Sequence, residues 1–182
     1  MHSPIVDTLS QAALQQVIEV AGLSRVDFAD GHSGRVRSVN LTAHQVAQAM
    51  FADLPRFARV LMAVRDRVVA LFGVKSSTQI AREQGAQKCV NFFPVLSESA
   101  DVIILGANDI HLDFRLYISV QTEGTGQRIS ASTLVKLNNR LGRFYLFVIM
   151  PFHRYLARYV IGHAIEQLDA GGLDEAAVSG GF

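Results

Sequence analysis

The sequence predicts an α+β protein in which a curved antiparallel sheet packs against one long C-terminal helix. Apolar and polar side chains alternate without a break over residues 110–121, which is the period of a strand with one dry face. Residues 138–168 have helical spacing instead and follow directly on a strand-like stretch. Strand-like segments occupy residues 93–137 in succession, with helical segments on either side, and this segregation is typical of α+β proteins. A long helix lying across such a sheet gives a helix-grip arrangement, here with two shorter helices after the first strand.

The length and the charge balance limit the class of protein. The chain has 182 residues, of which 49% are hydrophobic, and this suits one folded domain. Its 17 basic and 16 acidic residues leave a net charge of +1, so nucleic acid is not an expected partner. The single cysteine, Cys89, excludes an intramolecular disulfide. The first residues lack the features of a secretory signal, and the longest uncharged apolar run is about half a spanning helix, so we expect a cytoplasmic protein without a transmembrane segment.

The first quarter of the chain is predicted to begin with a helix outside the main domain. Residues 1–24 form this lead-in helix, whose apolar side chains keep helical spacing as far as Gly22, a typical C-terminal stop. The residues that follow include four turn formers, namely Asp30, Gly31, Ser33 and Gly34. They predict a turn that leads into a first strand over residues 35–39.

Two helices are predicted after this strand. Thr42 and Gln45 form a capping-box pattern, which indicates the start of a helix. Pro55 begins a second helix, whose apolar stripe continues to Gly73. The polar and aperiodic residues 75–91 then predict a long loop or a pair of weak elements.

The second half is predicted to form a run of strands and then the long helix. The predicted strands are 93–96, 102–105, 110–121 and 128–137. The first two flank a short polar link, which predicts a hairpin. The long helix over residues 138–168 completes a domain of residues 25–168, and the small, glycine-rich residues 169–182 predict a disordered tail.

Three separate segments resemble, in order, an uncharacterised bacterial domain-of-unknown-function family (DUF2867-like). They are HLDFR at residues 111–115, NRLGRFY at residues 139–145 and PFHR at residues 151–154. The resemblance covers residues 25–166 and implies a fold similar to the helix-grip (START-like) lipid-transfer and polyketide-cyclase domains. Relatives occur fused behind nucleotide-binding dehydrogenase-like domains. No GxGxxG pattern follows a strand in this chain, so the resemblance implies no cofactor here.

One candidate site lies on the alternating strand. His111 shares its polar face with Asp109 and Asp113, and carboxylates beside an imidazole can orient the ring for acid–base catalysis. His111 and Asp113 are therefore the candidate catalytic residues of an enzyme of the cyclase or dehydratase kind. A solvated sheet face explains the same alternation, because antiparallel sheets commonly have one polar face.

The long helix carries the other candidate residues. At about 100° per residue, its arginines fall within an arc of roughly 60°, which could hold an anionic group, touch a membrane surface or form an ordinary outer face. Aromatic residues gather on nearly the opposite side and are predicted to face the sheet. The predicted ligand-binding residues are Arg143, Tyr145, Phe152, His153 and Tyr155.

These features favour a binding module over an enzyme. A bent sheet and a helix often leave an apolar cavity between them, and ligand sites are usually concave and mostly apolar. Pro151 removes a backbone hydrogen bond from the long helix and should open space beneath it. We therefore expect a small apolar or amphipathic molecule as partner, no metal site and no cofactor. A homodimer, a protein partner and the enzyme alternative stay open.

Overall fold

The computed structural model describes residues 4–52, 88–91 and 93–179. The helices in these residues are α1 (Gln11–Val20), α2 (Ala43–Phe51) and α3 (Arg140–Ser179). The strands are β1 (Val6–Thr8), β2 (Phe28–Val36), β3 (Cys89–Val90), β4 (Phe93–Glu98), β5 (Val102–Asn108), β6 (Leu112–Glu123) and β7 (Gly126–Leu137). The predicted α+β class, with a long C-terminal helix, is confirmed.

The strands of the described chain form one open, curved, antiparallel sheet of seven strands. Their order is β1-β2-β7-β6-β5-β4-β3. Strands β4 to β7 are neighbours in sequence as well as in space, whereas β2 pairs with β7 across most of the chain, with Phe28 opposite Val135. The N-terminal residues therefore complete one side of a sheet whose other strands come from the second half of the chain.

Different helices cover the two faces of the sheet. The main core lies on the face covered by α2 and α3, and it contains the fully buried Ile118 of β6. Gly34 of β2 lies on this face, because a Cβ at Gly34 would collide with the side chain of Ile165 in α3. The opposite face carries a smaller cluster, in which Val17 of α1 packs near Leu134 of β7.

Most predicted elements are present with small shifts in their ends. The four strands predicted between residues 93 and 137 correspond to β4, β5, β6 and β7. The capping box is also confirmed, since the Thr42 hydroxyl accepts from the Gln45 N–H at 3.2 Å and the Gln45 side chain accepts from the Thr42 N–H at 2.9 Å. The helix predicted from Pro55 to Gly73 lies outside the described residues, as does most of the predicted loop over residues 75–91.

The N-terminal strand differs from its prediction. The turn predicted within residues 30–34 is wrong, because these residues lie in the middle of β2, which begins at Phe28. A Cβ on Gly31 would lie 2.7 Å from Cδ1 of Leu9 and 2.8 Å from Oγ of Ser132. Close packing on both sides of the strand, and not a turn, therefore explains the glycines.

The two ends of the chain extend the sheet and the long helix. The predicted lead-in segment contributes strand β1 as well as α1, and β1 pairs with residues 32–34 of β2. Helix α3 passes through Pro151 and continues to Ser179, through most of the segment predicted as a disordered tail. Alanine and acidic residues in that segment are good or tolerated helix formers, and the prediction gave more weight to its glycines.

Candidate functional site

Three ionisable side chains meet between the sheet and α3. Asp30 and His32 alternate with Gly34 along β2 and so lie on the face covered by α3. His153 reaches them from α3. The Oδ2 atom of Asp30 is 3.5 Å from Nε2 of His32 and 3.9 Å from Nε2 of His153. We call these three residues the His–Asp–His cluster.

The cluster is largely shielded from water, and several of its polar atoms lack a hydrogen-bond partner among the described residues. Only 9% of the His32 side chain, 15% of the Asp30 side chain and 23% of the His153 side chain is exposed. Within the described residues, no hydrogen bond reaches Oδ2 of Asp30, Nδ1 or Nε2 of His32, or Nε2 of His153. An unpaired buried polar group costs about 1–3 kcal/mol, so such groups are rare in folded proteins. The cluster therefore has unused capacity to bind a polar group.

Small and aromatic side chains border the cluster. The β7 residues that pair with its two β2 members are Ala131 and Thr133, and both are small. The ring of Phe28 meets the imidazole of His153 edge to face, with centroids 5.8 Å apart and planes at 82°. The immediate surroundings are therefore mostly apolar, as in ligand sites of other proteins.

Helix α3 packs tightly on the sheet only beyond the cluster. Val160, Ile161 and Ala164 are at most 6% exposed. Every residue from 143 to 159, in contrast, is at least partly exposed. The first half of α3 is therefore less closely packed on the sheet than the part that follows residue 159.

The electrostatic environment keeps His153 neutral. Burial lowers the pKa of its imidazole below the ordinary value, His32 and Arg154 lower the pKa further, and Asp30 raises it. The neutral ring therefore dominates at pH 7. One of its nitrogens donates a hydrogen bond and the other accepts one.

We expect the folding stability of the wild-type protein to fall as the pH decreases from about 7 to about 5, and to fall less in His153→Gln. Because the folded state lowers the pKa of His153, the unfolded chain takes up the proton first and acid favours unfolding. The neutral His153 ring contributes fully to the folding stability above the unfolded pKa of about 6.5. Urea unfolding followed by circular dichroism at several pH values measures this, and equal pH slopes for both proteins would contradict it.

The predicted catalytic pair, His111 and Asp113, lies at the start of α3 and not in the cluster. Nδ1 of His111 is 2.8 Å from the side-chain amide of Asn139. Asp113 instead accepts hydrogen bonds from Lys136 and from the Asn138 amide, both at 3.0 Å. The two side chains therefore bind separate partners in the structure.

These bonds belong to a junction that attaches α3 to the turn before β6. The Asn138 N–H donates to the His111 carbonyl at 2.9 Å, and the Asn139 side chain caps α3 by accepting from the Gly142 N–H at 3.0 Å. A Cβ at Gly142 would collide with the His111 carbonyl oxygen. The HLDFR and NRLGRFY segments thus meet at one place, which we call the α3 junction, and they position the helix.

Of the predicted ligand-binding residues, only His153 belongs to the cluster. Tyr145 is half-buried, and Arg143 is exposed. Phe152 and Tyr155 are 56% and 66% exposed and lie on the outer side of α3. The side of α3 that carries His153 faces the sheet. Because successive helical residues are rotated by about 100°, Phe152 and Tyr155 point away from the sheet.

Asp30 and His32 were not among the predicted site residues, because their glycine and serine neighbours indicated a turn. The available signal was an alternation that continues through the supposed turn. Its members are Phe28, Asp30, His32, Gly34 and Val36. Every second residue of a strand faces the same side, so this alternation places Asp30 and His32 together on the inward face. A carboxylate and a histidine at inward positions are candidate site residues.

The fold and the cluster define an α+β domain with a buried His–Asp–His cluster between an antiparallel sheet and a C-terminal helix. Within the described residues, no group of three or more His, Cys, Asp or Glu side chains is arranged to hold a metal ion. No helix in that part of the chain is long and apolar enough to cross a membrane.

The comparisons with known proteins agree with the resemblance of the three segments. The family model described as "Protein of unknown function (DUF2867)" matches residues 23–160, and the chain belongs to this family. No curated protein matched the chain, and no solved structure matched it.

Proposed function

We propose that this domain binds a small amphipathic molecule between the sheet and α3, in a helix-grip manner. The buried polar atoms of the His–Asp–His cluster that form no hydrogen bond with any described residue carry this proposal. A hydroxyl group suits them, because it can donate to the Asp30 carboxylate and also bond to a neutral imidazole in either direction. The polar end of the ligand therefore binds at the cluster.

The apolar part of the ligand has a matching surface on α3. Leu146, Ile149 and Met150 precede His153 by seven, four and three positions, so they share its side of the helix. All three are half-buried, as is Tyr145. A ligand that covers these side chains gains apolar burial in addition to its hydrogen bonds.

Native mass spectrometry of gently purified protein tests the proposal. We expect a reproducible small-molecule adduct on the wild-type protein, and chemical identification of the released compound should show an apolar body with a hydroxyl or similar polar end. The variant His153→Phe should lose the adduct, because removing one buried hydrogen bond weakens binding roughly 10- to 100-fold.

A second histidine of α3 provides the matched control. His163 is a half-buried residue of the same helix, but its ring stacks on Tyr159 and its Nε2 is 2.9 Å from the Gln167 side chain. The variant His163→Phe should keep the adduct. Bare wild-type protein in every preparation, or equal loss of the adduct in both variants, would contradict the proposal.

The enzyme alternative has less support from the geometry. It was predicted on His111 and Asp113, and both take part in the α3 junction with different partners. A pair of side chains that acts together in acid–base catalysis must reach a common substrate. The binding function is therefore the one that the described residues favour.

A further inference from the structure

The outer side of the first half of α3 carries exposed aromatic and apolar side chains. Phe147 is 78% exposed, Tyr155 66% and Phe144 62%, with Phe152 at 56% and Val148 at 48%. Soluble proteins rarely expose so many large apolar side chains together without a binding role.

Arginines lie beside these side chains. All four arginines of the helix, Arg140, Arg143, Arg154 and Arg158, are exposed. At about 100° per residue they occupy an arc of roughly 60°, and the exposed apolar residues occupy an arc of about 140° that partly overlaps it. The sequence from residue 140 to residue 165 contains no aspartate or glutamate. We call this combined surface the aromatic–arginine face.

We propose that the aromatic–arginine face binds an anionic membrane surface. Helices that lie in the membrane interface place aromatic and aliphatic side chains at the boundary between headgroups and acyl chains, and their basic side chains bind lipid phosphates. The inference goes beyond the proposed ligand site, since it uses the opposite side of the helix.

The charge of this surface favours an anionic occupant over a second copy of the chain. Two copies joined face to face would bring two sets of four arginines together, and residues 140–165 supply no acidic residue to pair with them. A lipid surface with negative headgroups complements the face, and the arginines and exposed rings then act together.

Co-sedimentation of the full chain with vesicles tests the proposal. The probes are vesicles of phosphatidylcholine alone and of phosphatidylcholine with about 30% phosphatidylserine, a composition that supplies the negative surface potential. We expect binding to the anionic vesicles at low salt, weaker binding at high salt and little binding to the neutral vesicles.

Two variants locate the binding surface. The double variant Arg154→Gln/Arg158→Gln should weaken partition into anionic vesicles about 30-fold. Each removed charge is worth about 1 kcal/mol of membrane binding, and about 1.4 kcal/mol corresponds to a tenfold change. Phe152→Glu should weaken it more than about 10-fold, because a charge replaces an inserted ring. All three positions are exposed, so circular dichroism should show folded protein for each variant.

Val20→Glu is the matched control for the aromatic substitution. Val20 is 56% exposed, as Phe152 is, and it lies at the end of α1. This variant should bind anionic vesicles like the wild type. The proposal is overturned if the wild-type protein does not bind anionic vesicles at low salt, if Val20→Glu loses binding equally, or if the arginine variant keeps full binding. A dimer in solution that Phe152→Glu dissociates would also overturn it, in favour of a second copy.

Discussion

Alanine at position 142 is expected to destabilise the protein by about 1–3 kcal/mol, although alanine normally stabilises a helix relative to glycine. The Cβ atom would collide with the His111 carbonyl oxygen, which is part of the backbone. That carbonyl also accepts the hydrogen bond from the Asn138 N–H, so neither side of the α3 junction can shift freely. Thermal and urea unfolding of Gly142→Ala, followed by circular dichroism, measure the effect.

A second glycine of the same helix provides the control. A Cβ at Gly162 would lie 3.5 Å from Cγ of Pro4 and 3.7 Å from Cγ2 of Val6, which are ordinary contact distances. Gly162→Ala should therefore stabilise the protein by roughly 0.5–1 kcal/mol. The pair of variants thus has effects of opposite sign within one helix. Stabilisation by both substitutions would show that α3 does not approach His111 as the structure has it.

Replacement of Asp113 by alanine is expected to cost about 2–3 kcal/mol. The carboxylate accepts hydrogen bonds from Lys136, from Asn138 and, at 3.3 Å, from the Asp109 N–H. Its removal leaves these donors without their acceptor at a site that is mostly shielded from water. Asp101→Ala is the control, because Asp101 is an exposed residue of the turn before β5, and a change within about 0.5 kcal/mol is expected there.

The effect of Asp113→Ala should also depend on pH. Burial raises the pKa of Asp113, but the hydrogen bonds from Lys136 and Asn138 outweigh burial and hold the pKa below its ordinary value. The contribution to stability is therefore present above the unfolded pKa of about 3.9 and is lost as the pH falls through the lower folded value. The difference in unfolding free energy between wild type and Asp113→Ala should shrink in that range. A difference that stays constant down to strongly acidic pH would mean that the charge of Asp113 is not what stabilises the junction.

Local periodicity predicted the part of the fold whose elements are regular and whose partners are close in sequence. Strand β6 alternates from Leu112 to Gln121, and its neighbours β5 and β7 are joined to it by short turns, so pattern and pairing agree. The capping box of Thr42 and Gln45 marked a helix start for a similar reason, since both partners lie within one turn.

The same method failed where distant residues decide the local structure. Gly31 and Gly34 look like turn residues until the packing of α1, β7 and α3 around β2 is known. A short stretch of sequence around Gly34 does not include Ile165, the residue whose packing requires a glycine there, because Ile165 lies far along the chain. His153 was predicted as a polar anchor, but its partners Asp30 and His32 could not be found from the helix alone.

The pairing of β2 with β7 also determines when the proposed binding site can exist. The cluster brings Asp30 and His32 of β2 together with His153 of α3, which are more than 100 residues apart in sequence. Forming the cluster therefore costs the entropy of bringing these distant segments together. During synthesis, β1 and β2 leave the ribosome long before β7 and α3. Until β7 is made, the backbone N–H and C=O groups on that edge of β2 lack their strand partner. The proposed site therefore forms only after β2, β7 and α3 have all come together, whereas the hairpins of the second half can form earlier without it.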